Sequence, residues 1–188
     1  MFYTAKHLVF GFNIILIILL LGTTLGASLS YGQPLEASIF TLTYDDEHIP
    51  YSYSDLTNLE TYSGLGGRLN VLGEVVGPFE YTGVHISTLL DQIPDAPAVA
   101  NIVVISSDGY VYTFSYDQIN GNVIVYNANG TQIGIGGVEM ILAYKEEGVP
   151  NFSGGPLRIA WVDTNGLITD AFLWSKKCSR NSDRSELF

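Results

Sequence analysis

Cysteine occurs once in the 188 residues, at Cys178, so no disulfide can form within the chain and packing has to hold the fold. Bases are scarce as well, with eight Lys and Arg against nineteen Asp and Glu. The imbalance sharpens between Tyr31 and Ser175, where seventeen acids face only Arg68, Lys145 and Arg158. A surface of that sign repels phosphate backbones, which argues against nucleic acid as a partner and makes solubility the first reading of the charge. Also missing are Gly-x-Ser-x-Gly, Gly-x-x-x-x-Gly-Lys, Cys-x-x-Cys and His-Glu-x-x-His, and with them the hydrolase, nucleotide, thiol-redox and zinc-protease chemistries those spacings serve. Gly134-x-Gly136-Gly137 carries Glu139 where a dinucleotide fingerprint needs its third glycine. It reads as a tight bend.

What is present favours a sheet. Hydrophobic residues make up 47% and aromatics 12% of the chain, with 20 glycines, a composition suited to strands and turns more than to a helical bundle. The one long apolar run is Leu8 to Ala27, preceded by Lys6. As a helix, twenty residues span roughly 30 Å, the thickness of a bilayer core. Two readings of residues 1–30 stay open, a cleaved signal peptide and a retained membrane anchor, since small residues at Gly26, Ala27, Ser28 and Ser30 permit cleavage. Both imply export, secreted or membrane-anchored through residues 8–27, and the positive-inside bias puts the domain outside the cytoplasm. Residues 31–37 form a linker, 38–175 one domain and 176–188 a polar tail. Cys178 lies in that tail beside Lys176, Lys177 and Arg180 and reads as an incidental surface thiol. Asn129-Gly130-Thr131 and Asn151-Phe152-Ser153 match the N-glycosylation acceptor pattern and mark loops.

Within the domain, alternation predicts strands over Ser38–Tyr44, Arg68–Val76 (ended by Gly77-Pro78), Ile102–Ser106, Tyr110–Ser115, Val123–Tyr126, Met140–Tyr144, Leu157–Val162 and Leu167–Phe172. Asp108-Gly109, Asn129-Gly130 and Asn165-Gly166 are turn dipeptides. A short helix is expected over Tyr53–Leu59, and the strongest helical pattern, Ile86, Leu89, Leu90 and Ile93, covers His85–Ile93 until Pro94 stops it. Asp45-Asp46-Glu47-His48 reads as a solvated loop rather than a cation site, and Asp163-Thr164-Asn165-Gly166 as a turn. The expected fold is α+β and predominantly β, with mixed, mostly antiparallel sheets, one or two short helices and the N-terminal apolar helix.

Three stretches resemble the molybdopterin-binding domain of the sulfite oxidase type, in particular its small, standalone, exported members. They are Gly83-Val84-His85-Ile86-Ser87-Thr88-Leu89-Leu90, then Ser107-Asp108-Gly109-Tyr110 with Thr113-Phe114-Ser115, then Ile141-Leu142-Ala143-Tyr144, Glu147-Gly148-Val149-Pro150 and Gly154-Gly155-Pro156-Leu157-Arg158. The resemblance implies that family's fold over roughly Thr43–Trp174. It also implies a molybdenum held by the pterin's two sulfurs and one cysteine placed before the Gly-Val segment. Here that region is Thr61-Tyr62-Ser63-Gly64-Leu65-Gly66-Gly67-Arg68, without a thiolate, and a hydroxyl is no electronic substitute for one. Three bases are also a thin supply for the cofactor's phosphate.

The residues that remain for a pocket are Arg68, Asp108, Tyr110 and Arg158, with Tyr112, Tyr144 and Trp161 as aromatic neighbours. A rare cation in an acidic domain either pairs an acid or holds an anion. The leading expectation is therefore a binding module with no catalytic residue, no metal ligand and no cofactor, its partner a small anionic ligand or a protein. One alternative is a molybdopterin-dependent oxidoreductase that holds the cofactor through non-thiolate contacts. A second is a cell-surface structural or adhesion domain.

Overall fold

The computed structural model describes residues 36–45, 47–93, 101–106, 109–150, 152 and 155–174. The apolar run of residues 8–27, Asp108, Asn151, Ser153 and Cys178 lie outside them. The chain divides into two compact units, Met1–Pro34 and Leu35–Phe188, and every described residue belongs to the second. Among the described residues no helix is long and apolar enough to cross a membrane.

In chain order the elements are β1 (Phe40–Tyr44), β2 (Glu47–Tyr51), α1 (Tyr53–Asn58), β3 (Tyr62–Leu69), β4 (Val75–His85), α2 (Ile86–Leu90), β5 (Asn101–Ile105), β6 (Val111–Ser115) and α3 (Tyr116–Ile119). They continue with β7 (Ile124–Tyr126), β8 (Gln132–Ile135), β9 (Glu139–Glu146), β10 (Val149–Pro150), β11 (Arg158–Val162), β12 (Ile168–Asp170) and a 3-10 turn at Ala171–Leu173. The fold is mostly β, with few and short helices. Strands β1 and β2 pair as one hairpin, β5 and β6 as another, and the remaining eight form a sheet in the order β10-β9-β4-β3-β12-β7-β8, with β11 on β9. Every pairing is antiparallel except β12 with β3.

Local chemistry accounts for the helix starts. Ser52 and Ser115 each cap a helix, their hydroxyls accepting from the backbone N–H of Asp55 and Gln118, whose side chains accept in return from the capping residue's N–H. This reciprocal arrangement satisfies two donors that the first turn leaves orphaned. The apolar side of α2 buries Ile86 and Leu89, with Ile93 beyond its end, against β4 and β9.

Strands β9 and β11 form the centre of the core. Met140 to Tyr144 and all five residues of β11 are buried, so these strands read as continuous apolar runs rather than alternations. The sheet then curls until the end of β11 meets β3, where Leu65 and Asp163 exchange backbone hydrogen bonds of 2.7 and 2.9 Å. Glycine permits that approach: a Cβ on Gly66 would strike the carbonyl oxygen of Trp161, and one on Gly64 would press on Asp163 and Val162.

Several expectations are corrected. Arg68 to Val76 is no strand but the junction of β3 and β4, turning at Asn70–Glu74, where Asn70 Oδ1 accepts from the N–H of Leu72 and Glu74. Asn70 supplied the turn signal there. Gly77-Pro78 does not end the following strand, which runs on to His85, and a register shift on β3 between Gly66 and Arg68 accommodates the passage. Glu47 and His48, expected in a loop, belong to β2. Strand β8 and helix α3 were not expected at all, and the Leu167–Phe172 strand shortens to three residues before the 3-10 turn.

Candidate functional site

Arg158 opens β11 directly opposite Ala143 of β9, which in turn faces Gly83 of β4. Residues opposed across a ladder share a face. The two small neighbours therefore leave room for a long side chain, and the guanidinium lies inside with only 7% of the side chain exposed. Its Nη1 donates to Glu146 Oε2 at 3.1 Å and, at 3.5 Å, to the hydroxyl of Tyr81. Tyr81 is itself opposite Glu146 in the β4–β9 register and donates its O–H to Glu146 Oε1 at 3.1 Å. One carboxylate thus serves both groups.

Aromatic rings enclose the cluster. The guanidinium carbon stands 4.6 Å from the Phe152 ring centroid and 6.0 Å from that of Tyr81, distances at which ring quadrupoles attract a cation. The Tyr81 ring also leans on Trp174, at 5.2 Å, whose Nε1–H donates to buried Thr169. Burial, reinforced by the negative charge of Glu146 and opposed by Arg158, pushes the Tyr81 phenol up to about 12. The neutral phenol is the form this surrounding selects.

Two buried polar atoms among the described residues lack any partner, Arg158 Nε and Trp161 Nε1. A buried donor without an acceptor costs about 1–3 kcal/mol. The one on Arg158 is the more telling, because the same guanidinium is already bonded through Nη1 and faces two aromatic rings.

The other expected pocket residues are dispersed. Arg68 is on β3 opposite Val76 and Thr169, and its charge acts on Tyr81 more weakly than that of Arg158. Tyr110 precedes β6, on the separate β5–β6 hairpin, two-thirds exposed, with its ring 6.5 Å from that of Tyr112. Trp161 packs on Phe114, and Tyr144 on Tyr53. Asp108 lies outside the described residues. Composition singled out Arg158 but not its partners: register brings Tyr81 and Glu146 to it, and Phe152 and Trp174 reach it from before β11 and from after the 3-10 turn, across separations of up to 77 residues. The one local hint was an acid, Glu146, two residues after the apolar run Met140–Tyr144.

The described residues include no cysteine. Strand β3 offers Ser63, whose hydroxyl is bonded to Thr82, and glycines. No group of three or more His, Cys, Asp or Glu side chains among the described residues is placed to hold a metal ion. No protein-family model matches the chain, and no curated protein matches it.

Proposed function

We propose that the chain is an exported protein of the molybdopterin-binding-domain type that has no thiolate for a metal and works as a binding module, taking a small anionic ligand at Arg158. The observation that carries this reading is the buried Nε–H of Arg158, left without an acceptor while Nη1 is bonded twice. An oxyanion supplies the missing acceptor, and in surroundings poor in water such a charge-assisted bond is short and strong. Support for the fold comes from the placement of two of the resembling stretches. Gly83-Val84-His85, Ile141-Leu142-Ala143 and Arg158-Ile159-Ala160 lie hydrogen-bonded side by side on β4, β9 and β11.

The test is made on the full chain purified from molybdenum-replete cells. Elemental analysis is expected to find molybdenum far below one atom per chain, and near-stoichiometric metal overturns the proposal. Small molecules released on denaturation, identified by mass spectrometry, are expected to include an anion that is absent from Arg158→Met. An identical set from both proteins removes Arg158 as the ligand's holder.

A further inference from the structure

We infer that Asn129 is an acceptor of an N-linked glycan, presented on the folded protein at the tip of the β7–β8 hairpin. Asn127 and Asn129 both stand in this five-residue connection, 127–131, where Gly130 N–H donates to the carbonyl of Asn127 and Gly130 holds φ at 75°. Their side chains do different things. Asn127 Oδ1 accepts from the backbone N–H of Asn129 and of Thr131, both at 3.0 Å, and so builds the turn. The carboxamide of Asn129 and the hydroxyl of Thr131 are exposed and make no hydrogen bond among the described residues. Asn70 and Asn120, by contrast, spend their amides on Glu74 and on the Tyr116 carbonyl. Among the described residues, Asn129 is the turn asparagine whose amide is free and which is followed at the second position by a hydroxyl residue, as the acceptor pattern requires.

A second observation concerns what lies beside it. Strand β8 is an outer strand of the large sheet, at the end opposite β10. Between Asp117 and Glu139 the chain has no charged residue and no proline, while Ile133 and Ile135 are 56% and 70% exposed. Edge strands are ordinarily guarded by lysine, proline or a covering element, and β8 has none of the first two. A hydrated oligosaccharide on Asn129, three residues before its first strand residue, supplies bulk and polarity at that edge.

The donor is an oligosaccharide carried on a polyisoprenoid phosphate. Asn129 Nδ2 attacks the anomeric carbon, a C–N bond forms as the bond from that carbon to the phosphate oxygen breaks, the lipid phosphate leaves with the electron pair, and the amide proton passes to a base of the transferase. Nothing is oxidised or reduced.

This inference rests on the export reading, so the experiment reads the two separately. The full chain is produced in a host that exports and N-glycosylates proteins, as wild type, Asn129→Gln, Thr131→Ala, Thr131→Ser and Asn151→Gln, with circular dichroism as the check on folding. Intact-mass and peptide mass spectrometry are expected to show whole sugar residues on the peptide containing Asn129. The increment disappears in Asn129→Gln and Thr131→Ala and persists in Thr131→Ser and Asn151→Gln. A chain that is cleaved by protease added outside intact cells, yet unmodified at Asn129, overturns the glycan assignment alone. A chain protected from that protease and unmodified overturns the export reading, and the assignment with it.

Discussion

Replacing Glu146 by Gln keeps the side chain's size and its ability to accept from Tyr81 while removing the charge that neutralises Arg158. The guanidinium cannot shed its proton, so it is left as a cation with 7% exposure beside Phe152 and Tyr81. At 3.1 Å the gross attraction between two unit charges is about 5 kcal/mol for an effective dielectric constant near 20. Breaking a fully buried pair from one side costs roughly 3–5 kcal/mol. Glu146 is 28% exposed, so water reaches the pair and the expected loss is smaller, about 2 kcal/mol. For a domain of this size that lowers Tm by roughly 4–8 °C. Arg158→Met removes both the charge and its need for a partner, leaves Glu146 to the solvent it already touches, and is expected to cost about 1 kcal/mol or less. With Arg158→Met already in place, adding Glu146→Gln should cost little more, because the harm of the second change depends on the guanidinium. Urea unfolding followed by tryptophan fluorescence is a suitable assay, since Trp174 packs on Tyr81 and Trp161 is fully buried. The outcome that refutes the reasoning is additivity: single losses below about 0.5 kcal/mol that simply sum in the double variant mark an ordinary surface pair.

Three further outcomes are expected. In a spectrophotometric titration Tyr81 should ionise late, near 12, and Tyr81→Phe should delete that last step. An unfolded phenol loses its proton near 10, so between the two values the native state holds the extra proton; this stabilisation is intact below pH 10 and is lost as pH rises to 12, and a wild-type advantage over Tyr81→Phe that grows with pH would contradict it. Gly66→Ala should destabilise by about 2–3 kcal/mol, because its methyl meets the Trp161 carbonyl, Val162 and Trp174; Gly134→Ala, with nothing near its Cβ, is the control, and thermal melts that fail to separate the two would disprove the close approach of β3 and β11. Asp163 accepts from the N–H groups of Asn165, Gly166 and Leu167 at 2.7–2.8 Å, so Asp163→Ala should cost about 3 kcal/mol by orphaning them, with Asp163→Asn recovering much of the loss in the same melts.

Much of the strand content was legible because alternation and turn dipeptides are local signals. The β5–β6 and β7–β8 hairpins turn near Asp108-Gly109 and at Asn129-Gly130, where those dipeptides put them. What escaped was set by partners far along the chain. Arg68 to Val76 has a strand-like run of Leu69, Val71, Val75 and Val76, yet Val71 is 99% and Leu72 80% exposed at the tip of a turn, because Asn70 binds the backbone ahead of it before any sheet can. Strand β8 was hidden by its glycine, since Gln132-Ile133-Gly134-Ile135 looks like a bend until β7 is laid beside it. For the site, scarcity was enough to find Arg158, but nothing local ties it to Tyr81; only the register of β4 on β9 does.

The segment that the resemblance would assign to a metal thiolate carries this lesson into chemistry. Read along the chain, Thr61 to Arg68 has the look of an open glycine-rich loop, in which a serine stands where a cysteine is wanted. Folded, it is β3, held on one side by β4 and on the other by β12, and touched at Leu65 by Asp163. Side-chain room is short at three of its residues: a Cβ at Gly66 strikes the Trp161 carbonyl, one at Gly64 presses on Asp163 and Val162, and one at Gly67 requires the Ile168 side chain to move. Ser63 points to the exposed side, bonded to Thr82. A thiol at Ser63 would therefore lie on that exposed side, and one at Gly66 would meet the backbone of β11. On the proposed reading, the glycine that closes β3 onto β11 also positions the strand that carries Arg158, so a thiol side chain placed at Gly66 would disturb the anion site itself.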